Sequence, residues 1–138
     1  MRDWRFDHGY RERERERNLP PQFQNIPIIS STYHLYKSFH ECLTRFPKSE
    51  RYSLGATCQG EILELLRLCL RAASISNNER KTACLQEASV RLDSLRLLLN
   101  LCRECRCVSN QTYQQLDSTC SEIGRMLGGW LKSISSSP

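Results

Sequence analysis

Cysteine is the residue type most able to do chemistry in this chain, which has eight cysteines among 138 residues. Cys102, Cys105 and Cys107 are close enough in sequence to suggest a zinc site or a thiol redox site. A structural zinc site normally takes four ligands, often supplied as two separated pairs. This cluster supplies a single C-x-x-C and one extra cysteine. The three histidines are all distant from it in sequence: His8, His34 and His40. We therefore predict no metal and no cofactor.

Most of the cysteines lie at or beside positions of apolar helical stripes, where a free cysteine acts as a small hydrophobic residue. These positions are Cys42, Cys58, Cys69, Cys84, Cys102 and Cys120. The opening residues M-R-D-W-R-F-D-H are too charged for the apolar region of a signal peptide. No run of 18 apolar residues is present to span a membrane. We predict a cytoplasmic protein with reduced cysteines in its core.

Other enzyme signatures are missing from the sequence. The G-x-x-x-G at Gly124 and Gly128 lacks the lysine of a phosphate-binding loop. The helical body offers no candidate for a histidine-centred catalytic triad. Its acidic residues read as solvated partners of arginines, such as Glu64 near Arg67 and Glu87 near Arg91. We predict that the protein is not an enzyme.

Basic residues are the stronger functional signal. The formal net charge is +5, and residues 1–19, with six arginines and five acidic residues, contribute only one of these charges. The candidate contacts to nucleic acid or a partner fall on the second and third predicted helices: Arg67, Arg71, Arg80, Lys81, Arg91 and Arg96. Neighbouring helices carrying such residues could form a phosphate-binding surface. The alternative for any single member is an arginine that only solvates the surface.

The last quarter of the chain shows the clearest helix. Seven residues recur at alternating spacings of 3 and 4, which places them on one helical stripe: Tyr113, Leu116, Cys120, Ile123, Leu127, Trp130 and Ile134. Gly124 and Gly128 lie one turn apart within it, and Gly129 follows. Because a helix-interior glycine costs about 1 kcal/mol relative to alanine, we predict that a neighbour packs closely at Gly124 and Gly128, beside Trp130.

Three further amphipathic helices precede this one. The first is predicted over 30–46 and ends before Pro47, and the second over 50–73 with Ser49 as its cap. Ser76 and Glu79 fit a capping box, so the third helix should begin near Asn77. Ser109 should cap the fourth. The predicted fold is all-α, an antiparallel up-down-up-down four-helix bundle over 28–138.

Two helices are apolar over more than one stripe. The additional residues are Leu63, Leu66, Leu70 and Ala73 on the second helix and Val90, Leu97, Leu98 and Leu101 on the third. The simplest use of a second stripe is contact between copies of the chain, so we predict a homo-oligomer; the alternative is a wide core face.

Residues 1–27 form a charged N-terminal extension, which contains the alternating run R-E-R-E-R-E-R over 11–17. We predict a flexible tail. The alternative is a tail that orders on a partner through its aromatic residues: Trp4, Phe6 and Tyr10.

Four segments together resemble one known family. They are F-P-K-S-E-R-Y-S-L-G (46–55), L-E-L-L-R-L (63–68), L-Q-E-A-S-V-R-L-D-S-L-R-L-L-L (85–99) and E-I-G-R-M-L-G-G-W-L (122–131). The pattern resembles the accessory variability determinant proteins of diversity-generating retroelements, relatives of the four-helix bundles encoded in ribosomal RNA intervening sequences. It covers about residues 30–134 and is most specific in the last segment.

The resemblance implies a non-enzymatic partner of a reverse transcriptase. Members of that family assemble as barrel-like pentamers with a basic surface. With the reverse transcriptase and the retroelement RNA, they support error-prone cDNA synthesis. The alternative is a structural or interaction bundle of the intervening-sequence type that has no retroelement partner.

Overall fold

Four long helices make up most of the chain that the structure describes. The structure is a computed structural model that describes residues 19–136. The long helices are α1 (Pro27–Leu43), α3 (Leu54–Ser74), α4 (Asn78–Glu104) and α5 (Asn110–Ser135). A one-turn helix, α2 (Lys48–Arg51), lies in the first connection, and a 3-10 turn (Pro21–Phe23) precedes α1. The described part of the chain contains no strand.

The four long helices form a closed ring of neighbours. α3 packs against α1 and α4, and α5 packs against α4 and α1. Each of these neighbours is antiparallel, because the connections between successive helices are short. The prediction of an all-α, antiparallel four-helix bundle is confirmed. None of the described helices is both long and apolar enough to cross a membrane.

The core is built from the predicted stripes. On α4, every stripe residue is buried: Leu85, Ala88, Leu92, Leu95, Leu99 and Cys102. On α5, the middle of the stripe is buried: Leu116, Cys120, Ile123 and Leu127. Tyr113, Trp130 and Ile134 are half-buried and pack against this core. Burial of one apolar side chain contributes roughly 1.5–3 kcal/mol, so the stripes supply the main driving force for folding.

The first helix starts and ends earlier than the predicted 30–46. Pro27 occupies its first turn, where the missing backbone N–H costs nothing. The helix ends at Leu43, and the backbone tightens into a turn in which Phe46 N donates to Leu43 O at 3.1 Å. Phe46 is then buried against Phe39, with ring centroids 5.7 Å apart.

The prediction of one continuous helix over 50–73 is wrong, because the chain turns at Tyr52 and Ser53 between α2 and α3. The N-cap of α2 is Pro47, so Ser49 lies inside the helix and does not cap it. Gly55 allows this geometry. A Cβ placed on it would lie 2.5 Å from Leu43 Cδ2. A side chain at position 55 would therefore have to displace the Leu43 side chain at the end of α1.

The last two helices, α4 and α5, each begin with a side-chain N-cap. Asn77, rather than Ser76, caps α4, and its side chain accepts a hydrogen bond from Arg80 N at 2.9 Å. Ser109 caps α5 as predicted, since its Oγ accepts from Thr112 N at 3.1 Å. Each cap satisfies one backbone N–H that the first helical turn leaves unpaired.

Part of the predicted extension belongs to the folded body. Leu19 is buried, and Phe23 and Ile26 pack against the core. The Gln24 amide donates to Leu19 O at 2.8 Å. The flexible-tail prediction therefore does not fit residues 19–27. The predicted aromatic anchors Trp4, Phe6 and Tyr10 lie outside the described residues.

The eight cysteines are free thiols. Six of them are buried: Cys58, Cys69, Cys84, Cys102, Cys107 and Cys120. Burial raises the pKa of Cys69 and of Cys120 to about 12. The Cys58 and Cys102 sulfurs are 3.7 Å apart, a non-bonded contact that, with burial, raises the pKa of Cys102. These protonated thiols act as small core residues.

Candidate nucleic-acid interface

Arg96 connects two helices. From α4, its Nε donates to Asp117 Oδ1 on α5 at 3.0 Å, and one Nη donates to Asp117 Oδ2 at 3.3 Å. The same nitrogen donates to Ser121 Oγ at 3.0 Å. Hydrogen bonding to Asp117 raises the pKa of the Arg96 guanidinium. The paired carboxylate offsets the positive charge, so Arg96 is poorly placed to bind a phosphate.

Arg91 makes a similar connection on the other flank of α4. Its guanidinium lies 3.0 Å from Glu61 Oε1 on α3, and the Glu61 side chain is only 17% exposed. The sequence suggested Glu87 as its partner, on the same helix, but the structure gives a partner on the neighbouring helix. Arg91 and Arg96 thus stabilise the packing of α4 between α3 and α5, so we leave these two of the six predicted contacts out of the candidate surface.

The remaining predicted residues lie toward the connection between α3 and α4. Arg67 is 70% exposed and makes only a loose pair with Glu64, at 3.7 Å. Arg80 is exposed and Lys81 half-buried in the first turn of α4. Arg71 is exposed in the last turn of α3. We call Arg67, Arg71, Arg80 and Lys81 the basic end of the bundle.

An open cleft lies within the basic end. Its walls come from the end of α3 and the start of α4: Arg71, Ile75, Arg80, Ala83, Cys84 and Glu87. Within residues 19–136, neither arginine of the cleft has a carboxylate at ion-pair distance. Cys84 closes the floor and donates to Leu68 O at 3.2 Å. Two arginines and one glutamate leave the cleft with net positive charge.

Cys84 and Glu87 are the cleft residues whose side chains could act as nucleophiles. Burial raises the pKa of the Cys84 thiol, with Arg71 acting in the opposite direction. A thiol held protonated is a poor nucleophile. Two guanidinium groups at the rim can instead bind phosphate oxygens, which arginine does in a bidentate manner. The arrangement is a candidate binding surface.

Comparison with known proteins places the chain in a family. The sequence model of the bAvd-like family matches residues 28–134, the whole of the four-helix bundle apart from its ends. The chain belongs to the bAvd-like family. bAvd is the accessory variability determinant of diversity-generating retroelements, so the resemblance seen in the sequence is confirmed. A search of curated proteins found no match.

The glycines of this bAvd-like chain do not pack as predicted. A Cβ added to Gly128 or to Gly129 would meet nothing within 4 Å, and at Gly124 it would meet only Leu92 Cδ2 at 3.5 Å. Within the bundle, close helix packing therefore does not account for Gly128, and Gly124 has room for a methyl group. Trp130 does pack against the core, half-buried, at the same end of α5.

The bAvd-like bundle has one strongly exposed apolar stripe. On α4, Val90 and Leu97 are each 67% exposed, and Leu101 is 40% exposed. On α3, Leu63 is less exposed, at 36%. Leu66, Leu70 and Leu98 are half-buried and pack against the core, and Ala73 is exposed. The predicted second stripe is therefore mostly exposed to solvent on α4. On α3, most of it packs against the core and forms a wide core face.

Proposed function

We propose that this protein is a non-enzymatic accessory subunit of a diversity-generating retroelement, acting in the cytoplasm. It binds the reverse transcriptase and the retroelement RNA and supports mutagenic cDNA synthesis. Membership of the bAvd-like family supports the retroelement assignment. The observation that carries the RNA contact is the open cleft with Arg71 and Arg80 on its rim.

The proposed RNA surface is the basic end. It excludes Arg91 and Arg96, which the sequence had suggested as contacts. A phosphate contact requires a cation whose charge is not already offset, and a carboxylate within 3.0 Å offsets the charge of each of those two arginines. The four residues of the basic end lie on two adjacent helices and flank one connection. Their contact with the phosphate backbone would position RNA without reading its sequence.

The bundle acts as a homopentamer in this proposal. The exposed stripe Val90, Leu97 and Leu101 provides an apolar surface on the outer face of α4 for a second copy. Five copies would repeat the basic end around a ring and raise the local positive potential, which increases the rate of RNA association.

A pair of matched double variants tests the RNA contact. Arg71→Ala with Arg80→Ala removes two charges from the cleft, and Arg125→Ala with Lys132→Ala removes two exposed charges from α5. Fluorescence anisotropy with labelled retroelement RNA measures affinity between about 50 and 200 mM salt. The cleft variant should weaken binding and flatten the salt slope by about one unit per lost contact.

The control variant should stay close to the parent chain in both affinity and slope. Light scattering and circular dichroism of both double variants should show the oligomer size and helicity of the parent chain. Equal losses from the two double variants would show that net charge, rather than the cleft, determines RNA affinity.

A further inference from the structure

A second exposed feature lies at the opposite end of α3 from the basic end. The connection between α1 and α3, residues 44–53, contains Tyr52, whose side chain is 81% exposed. No other large hydrophobic residue described by the structure is as exposed. α3 is 21 residues long, so about 30 Å separates this tyrosine from the basic end.

The connection holds Tyr52 on an ordered backbone. Arg51 donates from one Nη to Thr44 O at 3.1 Å, which joins the two ends of the segment. Ser53 Oγ donates to Ser49 O at 3.2 Å, and Phe46 is buried in the core. The ring of Tyr52 is therefore exposed to solvent on a connection that hydrogen bonds hold in place. Binding to the ring costs little backbone entropy.

The surroundings of Tyr52 are basic. The connection contains Arg45, Lys48 and Arg51 with a single acidic residue, Glu50. Arg45 and Lys48 are exposed, and within residues 19–136 neither has a carboxylate at ion-pair distance. The Glu50 carboxylate accepts a hydrogen bond from Ser53 at 3.3 Å. The charge favours a polyanion over an apolar or basic partner.

We propose that Tyr52 stacks on an unpaired base of single-stranded RNA, while Arg45 and Lys48 contact the phosphates on either side. Single-strand binding surfaces combine a positively charged track with an exposed aromatic ring. The connection supplies both parts within ten residues, 44–53. The identity of the strand as RNA rests on the proposed function, but the stacking contact itself does not use the Arg71 and Arg80 cleft.

The test measures the base and the phosphate contributions separately. Affinity is determined by anisotropy for a single-stranded RNA of about 12 nucleotides, a length within the range bound by single-strand modules. A second probe has the same sugar–phosphate backbone but no bases. The variants are Tyr52→Ala, Tyr52→Phe, and Gln114→Ala as an exposed control on α5 that carries no ring and no charge.

Tyr52→Ala should weaken binding of the RNA about 5- to 150-fold, the loss expected for one stacked base, without changing the salt slope. It should leave affinity for the abasic probe unchanged. Tyr52→Phe, which keeps the ring, and Gln114→Ala should bind the RNA as the parent does. Arg45→Ala with Lys48→Ala should weaken both probes and flatten the salt slope.

Four results would overturn the stacking proposal. They are an unaffected Tyr52→Ala variant, an equal loss on the abasic probe, a parent chain that does not bind the RNA, and a Tyr52→Ala variant with altered oligomer size. The last would place Tyr52 in a subunit interface. If Tyr52→Ala leaves RNA affinity unchanged while the Arg71 and Arg80 double variant lowers it, the stacking proposal is wrong and the proposed function is retained.

If Tyr52→Ala lowers RNA affinity while the double variant does not, the stacking site is retained and the cleft is rejected as the RNA contact.

Discussion

Arg96 on α4 donates hydrogen bonds to both carboxylate oxygens of Asp117 on α5, at 3.0 and 3.3 Å. This pair turns a residue predicted to contact RNA into one that fastens two helices together. The side chains are 37% and 29% exposed, so water partly screens their attraction. The contribution to stability is therefore modest, and its main effect is to fix how α4 and α5 meet.

Arg96→Ala should lower the free energy of unfolding by about 1 kcal/mol, the upper range for a well-oriented and partly exposed ion pair. Urea denaturation followed by circular dichroism measures this change. Arg125→Ala is the matched control, because Arg125 is exposed on α5. It should change stability by less than about 0.5 kcal/mol. Equal effects of the two substitutions would mean that the Asp117 pair contributes nothing specific.

The glycines of the bundle should respond in opposite directions to alanine. Gly128→Ala should raise stability by up to about 1 kcal/mol, because its surroundings are open and alanine favours helix. Gly55→Ala should lower it by about 1–3 kcal/mol, since the new Cβ would lie 2.5 Å from Leu43 Cδ2. Thermal and urea unfolding measure both changes. A loss of stability at Gly128 would show that another subunit packs there.

The helices and their inward faces could be predicted from sequence, because burial in a bundle imposes a period near 3.6 that apolar residues display directly. The break at Tyr52 could not. Next to the break, Gly55 lies close to the Leu43 side chain, and the local spacing of residues does not predict such a contact between helices. The prediction of close packing at Gly128 does not hold within the bundle. The sequence shows that a glycine inside a helix lowers stability, but it does not show which groups surround that glycine.

The ion pairs of the candidate site were also hidden from sequence. Pairs within one helix follow from spacings of 3 and 4, which is why Glu64 and Arg67 could be paired in advance. Glu61 with Arg91, and Asp117 with Arg96, lie 30 and 21 residues apart. Their meeting depends on how each helix is rotated about its axis. The cleft at Arg71 and Arg80 likewise depends on how the end of α3 meets the start of α4.

The buried thiols should make stability fall at alkaline pH. The folded-state pKa of Cys69 and of Cys120 is raised by burial to about 12, from an ordinary value of 9.0. Unfolded chains therefore release these protons first. The contribution is fully present below pH 9.0 and is lost as the pH rises toward the folded value, by roughly 1 kcal/mol per thiol at pH 10.

A comparison of parent and Cys120→Ala chains tests this pH dependence. The unfolding free energy of the parent should fall more steeply between pH 8.5 and 10 than that of the variant, by about the contribution of one thiol. Cys105, which is exposed, should react first with a thiol reagent at neutral pH, as peptide mass spectrometry would show. Parallel pH curves would indicate that Cys120 ionises equally well in the folded protein.

The exposed stripe of α4 should control assembly. Leu97→Asp places a charge on a side chain that is 67% exposed in the single chain, so the fold should survive. A charge buried between copies is costly, and the oligomer should dissociate. Light scattering at micromolar concentration should find a multiple of 16.1 kDa for the parent and a smaller species for the variant. A parent that is only a 16.1 kDa monomer would rule out the homo-oligomer.

The accessory-subunit assignment is tested most directly by reconstitution with the reverse transcriptase and the RNA of a diversity-generating retroelement. The three components are mixed and separated by size-exclusion chromatography with multi-angle light scattering. The account predicts one complex that contains all three, and loss of RNA from it when Arg71 and Arg80 are replaced by alanine but not when Arg125 and Lys132 are. A protein that elutes as the same free species, whether or not the polymerase and RNA are present, would contradict it.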